Sequence, residues 1–125
     1  MSALEDNFLK AWQIVAPDLS LEREYSAIES WESDFQKRYA KNKRSKRYRA
    51  DFAQTEAKII LEVQGGTWNR GRHVQASGYA RDARKFNLAQ FANWQVFLLV
   101  SETATDLLVL RQIAEHVRRR LVCSF

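Results

Sequence analysis

RYRADFAQTEAKIILEVQGG, residues 47–66, is the stretch whose reading decides the fold. Side chains on a strand alternate between its two faces. In KIILEVQGG (58–66) that alternation puts Ile59, Leu61 and Val63 on one face and Glu62 and Gln64 on the other, and a glycine pair ends the run. RYRADFA (47–53) reads as the preceding strand, QTE as a tight turn, and AKIILEVQ (57–64) as the returning arm of a hairpin. A carboxylate and an amide thus stand where a buried strand would carry two more apolar groups.

Upstream, Ser2 and Glu5 have the spacing of a helix capping box, and Leu4, Phe8, Ala11, Trp12 and Val15 follow at helical intervals until Pro17. Residues 21–39 allow two readings. Leu21, Tyr25, Ile28, Phe35 and Tyr39 recur as on an amphipathic helix, whereas REYSAI also suits a strand; the preferred arrangement is a short strand at Glu24–Ile28 followed by a helical arm. Downstream, GGTWNRGRHVQASG (65–78) reads as a glycine-rich loop exposing Arg70, Arg72 and His73. A helix follows over 79–93, with Tyr79, Ala83, Phe86 and Ala89 or Gln90 along one side. WQVFLLV (94–100) is a continuous apolar strand of the kind covered on both faces. A last helix spans Thr105–Val122, with Leu110, Ile113, Val117 and Leu121 inward. The order is helix, strands, helix, strand, helix: an α/β fold with a mixed central sheet flanked by helices.

A chain of 125 residues fits one domain with a single modest core, here residues 1–125 with an inserted basic arm at about 29–46. No apolar run approaches the roughly 18 residues of a membrane span, and the acidic, amphipathic start MSALEDNFLK is unlike a secretory signal. The lone Cys123 excludes an internal disulfide and a multi-thiolate zinc site, so a reducing, cytoplasmic compartment is expected. The net charge of +5 is unevenly placed: residues 1–36 hold eight acids and two bases, and 37–49, KRYAKNKRSKRYR, hold eight bases and no acid. Such a block suits a polyanion, because each neutralised phosphate releases counterions; a solvated linker is the plainer alternative. Lys43, Arg44, Lys46 and Arg47 are the candidate phosphate contacts within it.

Asp51 lies on the first arm of the hairpin and Glu62 on the second. Two carboxylates on adjacent strands, with the backbone carbonyl of Val63, make a hard-oxygen donor set that suits Mg2+, with Mn2+ expected to substitute. Such an ion is what phosphodiester hydrolysis at neutral pH needs. Gln64, on the same face as Glu62, is placed to orient the attacking water.

Asp51-x10-Glu62-Val63-Gln64, after an N-terminal helix and before a helix and a further strand, resembles the PD-(D/E)XK nuclease core, an αβββαβ restriction-endonuclease-like fold. The nearer likeness is to small phage and bacterial endonuclease-like proteins related to Holliday-junction resolvases and very-short-patch repair endonucleases. It is carried by Asp51-Phe52-Ala53, Leu61-Glu62-Val63, Gly65-Gly66-Thr67, Gly71-Arg72-His73, Gly78-Tyr79, Asp82, Lys85 and Asn87, and covers about residues 47–100. The resemblance implies that Asp51 and Glu62 hold the metal, that Gln64 takes the place of the usual lysine, and that Glu5 is the acid some members carry on the first helix. It implies that Lys85 can supply the cation missing at residue 64; a surface ion pair with Asp82 accounts for Lys85 equally well. His73 is open between a general base, a phosphate ligand and an exposed loop residue. Arg70 and Arg72 match phosphate geometry, and Trp68 is a candidate base-stacking residue. The activity implied is Mg2+-dependent DNA endonuclease, selective for branched or nicked DNA and acting as a homodimer. The replacement of lysine by Gln64 keeps open an alternative, a catalytically inactive nuclease fold that only binds nucleic acid.

Overall fold

The computed structural model describes residues 2–26, 49–65 and 72–123, and of 72–81 the backbone alone. The elements run α1 (Ala3–Val15), β1 (Glu22–Tyr25), β2 (Ala50–Gln54), β3 (Ile59–Val63), α2 (Arg72–Phe91), β4 (Gln95–Leu99) and α3 (Leu107–Val122). The four strands form one mixed sheet in the order β1-β2-β3-β4. The β1–β2 and β2–β3 pairs are antiparallel and β3–β4 is parallel. The α/β class and the helix–strand order read from the sequence are therefore present.

Alternation on β3 divides the interior in two. Ile59, Leu61 and Val63 join Phe52, Leu99 and the inward residues of α1 (Phe8, Ala11, Trp12) and α3 (Leu110, Ile113, Val117) in the larger core. Ile60 faces the other way, into a smaller cluster with Ala50, Ala53, Trp94 and, on α2, Leu88 and Ala89. Helices α1 and α3 thus cover one side of the sheet and α2 the other, and all five residues of β3 are buried between them.

The helix starts follow from their caps. Ser2 accepts the Glu5 N–H at 3.1 Å, and the Glu5 carboxylate accepts the Ser2 N–H in return, closing the expected capping box. Asp106 caps α3 by accepting the Leu108 N–H at 2.9 Å. The indole of Trp12 donates to the Leu19 carbonyl at 2.9 Å, so the segment leaving α1 is held by a buried polar contact as well as by packing.

Several expectations are corrected. The first strand lies at Glu22–Tyr25, earlier than Glu24–Ile28, and its Tyr25 ring packs 5.5 Å from that of Trp94. The β2–β3 turn occupies 55–58 and is tightened by Gln54, whose Oε1 accepts the Ala57 N–H at 2.8 Å; Lys58 closes it with φ of 56°. Helix α2 begins at Arg72, inside the expected loop. Gly78 sits within it, a cost of about 1 kcal/mol relative to alanine that a long helix absorbs. Among its described side chains the buried ones are Leu88 and the expected Ala89, with Ala92 packed beside them, while Ala83 and Phe86 are half-buried. β4 is an edge strand whose two faces are only partly covered: Phe97 and Leu99 pack on the larger core and Val96 on the smaller cluster, while Leu98 is 51% exposed. On α3, Leu121 is exposed instead of inward. The basic arm at 29–46 and the rest of the block to Tyr48 lie outside the described residues.

Candidate active site

The β2–β3 ladder stops at Phe52–Leu61, whereas the β3–β4 ladder runs on to Val63–Leu99. One step beyond the last β2–β3 pair, Asp51 and Glu62 stand opposite each other. Directly opposed residues of an antiparallel pair share a face, and here it is the α2 face, opposite the larger core.

Both carboxylates are anchored by the strand backbone. Glu62 Oε2 accepts the Asp51 N–H at 2.9 Å, and Asp51 Oδ2 accepts the Val63 N–H at 2.9 Å. Each acid thereby satisfies a backbone donor left over where the strands part. This fixes both side chains without a long, flexible tether.

The third member comes from α2. Lys85 donates to Glu62 Oε1 and to the backbone carbonyl of Arg49. The pair is well shielded, with side-chain exposures of 12% for Lys85 and 5% for Glu62. Burial pushes the Glu62 carboxyl up to about 7; the Lys85 ammonium pulls it back, and the hydrogen bond and charge of Asp51 add to the rise. A buried acid that titrates near neutrality beside a second carboxylate is short of positive charge.

Those features suit a hard divalent cation. Carboxylate and carbonyl oxygens are the donors Mg2+ accepts, and one or two carboxylates are its usual protein share. Asp51 and Glu62, with the Val63 carbonyl, would hold it. Among the described residues no group of three or more His, Cys, Asp or Glu side chains is assembled.

The other candidates fall out as follows. Gln64 lies just past the end of β3 and is exposed; its N–H donates to the Leu99 carbonyl at 2.8 Å. Glu5 is engaged by Ser2 at the start of α1, which packs on the opposite side of the sheet from Glu62. Arg72 and His73 are in the first turn of α2, and their side chains are outside the description. Lys43, Arg44, Lys46, Arg47, Trp68 and Arg70 lie outside the described residues. The Arg49 carbonyl is the participant that sequence reading missed. A backbone oxygen carries no side-chain identity, so nothing in the sequence could mark it.

Comparison with protein-family models, with curated proteins and with solved structures gives no match to this chain. Among the described residues no helix is long and apolar enough to cross a membrane.

Proposed function

We propose that this protein is a nuclease of the restriction-endonuclease-like class. More particularly, it is a Mg2+-dependent DNA endonuclease that hydrolyses phosphodiester bonds in branched or nicked DNA, working as a homodimer. The observation that carries the reading is the convergence of Asp51, Glu62 and Lys85, from β2, β3 and α2, on one face of the sheet where two strands part. The helix–strand order α1-β1-β2-β3-α2-β4, with its mixed sheet, supports it as well.

In this site Asp51 and Glu62 supply the negative charge that holds the cation, and their backbone anchors keep the oxygens in place. Bound there, the ion supplies positive charge for the extra negative charge that develops at phosphorus and acidity for the attacking water. Lys85 contributes an ammonium from α2 beside the two acids, the role that the exposed Gln64 cannot take because an amide carries no charge. The product ends would be a 3′-hydroxyl and a 5′-phosphate. The basic block at 37–49 would draw in the DNA backbone.

A second reading, a nuclease-like fold that binds nucleic acid without cutting it, is favoured by one observation. The two carboxylates already have backbone and Lys85 partners, so the cluster is held by its own hydrogen bonds without an added ion. One panel separates the two: a four-way junction, a nicked duplex, a flap and a plain duplex, each with Mg2+, Mn2+ or EDTA, beside Asp51→Ala and Glu62→Ala. Nicking that needs the metal and both acids supports the endonuclease. Binding without metal-dependent nicking on any substrate supports the alternative.

A further inference from the structure

We infer that the Lys85 ammonium is a built-in occupant of the cation position, and that loading a divalent ion requires this lysine to step aside. The inference rests on the endonuclease reading above and concerns how its metal site is gated. It also assigns a donor not otherwise expected, the backbone carbonyl of Arg49.

The argument is geometric. Glu62 has two carboxylate oxygens: Oε2 is held by the Asp51 N–H, and Oε1, the one turned to α2, is held by Lys85. The second acceptor of Lys85 is the Arg49 carbonyl, which belongs to the strand-side backbone just ahead of Asp51. One positive centre therefore sits between a carboxylate oxygen on β3 and a carbonyl oxygen of the residue that leads into β2. These are the oxygen types that a hard dication selects. A cation bound through Glu62 Oε1 and the Arg49 carbonyl would stand where the ammonium now stands, and two positive centres do not share that space.

The lysine also has a reason to be there. The carboxylate pair is shielded, and an uncompensated buried charge is strongly destabilising. Lys85 keeps the fold intact in the metal-free state and vacates only when a stronger positive charge replaces it. Because Lys85 is borne on α2, on a long unbranched stem, it can withdraw without moving either strand. Displaced, it stays within reach of whatever the cation carries.

The test is metal binding measured apart from cleavage. Mn2+ is titrated into wild type, Lys85→Met and Lys85→Ala by calorimetry at about pH 9, where proton competition at Glu62 is weakest. Thermal unfolding is followed with and without the ion. Both variants are expected to bind Mn2+ about tenfold more tightly than wild type, because a competing charge at close range in a shielded site has been removed. They should also melt lower than wild type without metal and gain more from it. A measurement on wild type alone guards against variants that fail to fold: Mn2+ replaced by diamagnetic Mg2+, the Lys85 Nζ resonance should move toward that of a solvent-exposed lysine. Wild type that binds metal, with variants that bind equally or more weakly and a Lys85 signal that stays put, overturns the gating inference while leaving the metal site standing. No binding by any of the three proteins overturns the metal site and the inference together.

Discussion

Glu62 reaches across from β3 to accept the backbone N–H of Asp51 at 2.9 Å, and Asp51 answers by accepting the N–H of Val63 at the same distance. The two acids are thus joined by hydrogen bonds to each other's strands, at the point where ladder bonds between those strands cease. Two like charges held this close are stable only with a positive partner, and the expected effects of mutation follow from that.

Removing either acid should abolish metal-dependent cleavage. Asp51→Asn and Glu62→Gln preserve shape and retain an oxygen acceptor, but halve the carboxylate charge of the cluster. Initial nicking rates on a supercoiled or branched substrate are expected to fall by about 100-fold or more, while binding measured in EDTA changes little.

Stability should carry the signature of Glu62. Its folded-state titration lies near 7 against an ordinary value of 4.5, so between those limits the folded chain holds a proton that the unfolded chain has released. Folding is then favoured at the acid end, and that advantage is lost as pH rises through about 7. Relative to Glu62→Gln, the wild type should lose on the order of 2–3 kcal/mol between about pH 4.5 and pH 8, read from urea midpoints. Saturating Mg2+ should restore most of it.

Lys85→Met should lower the nicking rate by about 100-fold through loss of a positioned cation. Gln64→Ala, at an exposed position beyond the end of β3, should change it by less than about threefold. Equal losses at the two positions would count against the assignment of Lys85.

Alanine at Lys43, Arg44, Lys46 and Arg47 together should flatten the dependence of DNA affinity on salt. Each phosphate contact removed lowers the log–log slope by about 0.9 on duplex DNA, as measured by fluorescence anisotropy across a salt series. The cleavage rate at saturating DNA should be preserved.

Arg120 makes a separate, structural prediction. From the last turns of α3 it donates to the Ala57 carbonyl at 2.7 Å and the Asn93 carbonyl at 3.0 Å, tying the β2–β3 turn to the residue pair that leads into β4. Arg120→Ala should destabilise the chain by about 2 kcal/mol, since charge-assisted bonds to two backbone carbonyls are lost. Nicking at a permissive temperature should be unaffected.

Local pattern was enough to read much of this molecule. The capping box of Ser2 and Glu5, the helical spacing of Phe8, Ala11 and Trp12, the alternation of Ile59, Leu61 and Val63 against Glu62, and the inward row Leu110, Ile113, Val117 all appear where periodicity places them. Periodicity is a property of adjacent residues, so the chain itself displays it. The start of α2 was obscured because Gly71 and Gly78 are loop signals by composition, yet Gly78 is carried within a long helix.

Only the tertiary structure decided the rest. WQVFLLV is equally apolar at the centre or the edge of a sheet, and strand order alone makes β4 an edge with Leu98 in solvent. Lys85 stands three residues after Asp82 and twenty-three after Glu62, so sequence offers the nearer acid as its partner. The crossover from β3 through α2 to β4 brings it to the farther one, beside the Arg49 carbonyl. Charges meet according to where packed elements put them, and that placement is set by burying Leu88, Ala89 and Ile60 together, not by distance along the chain.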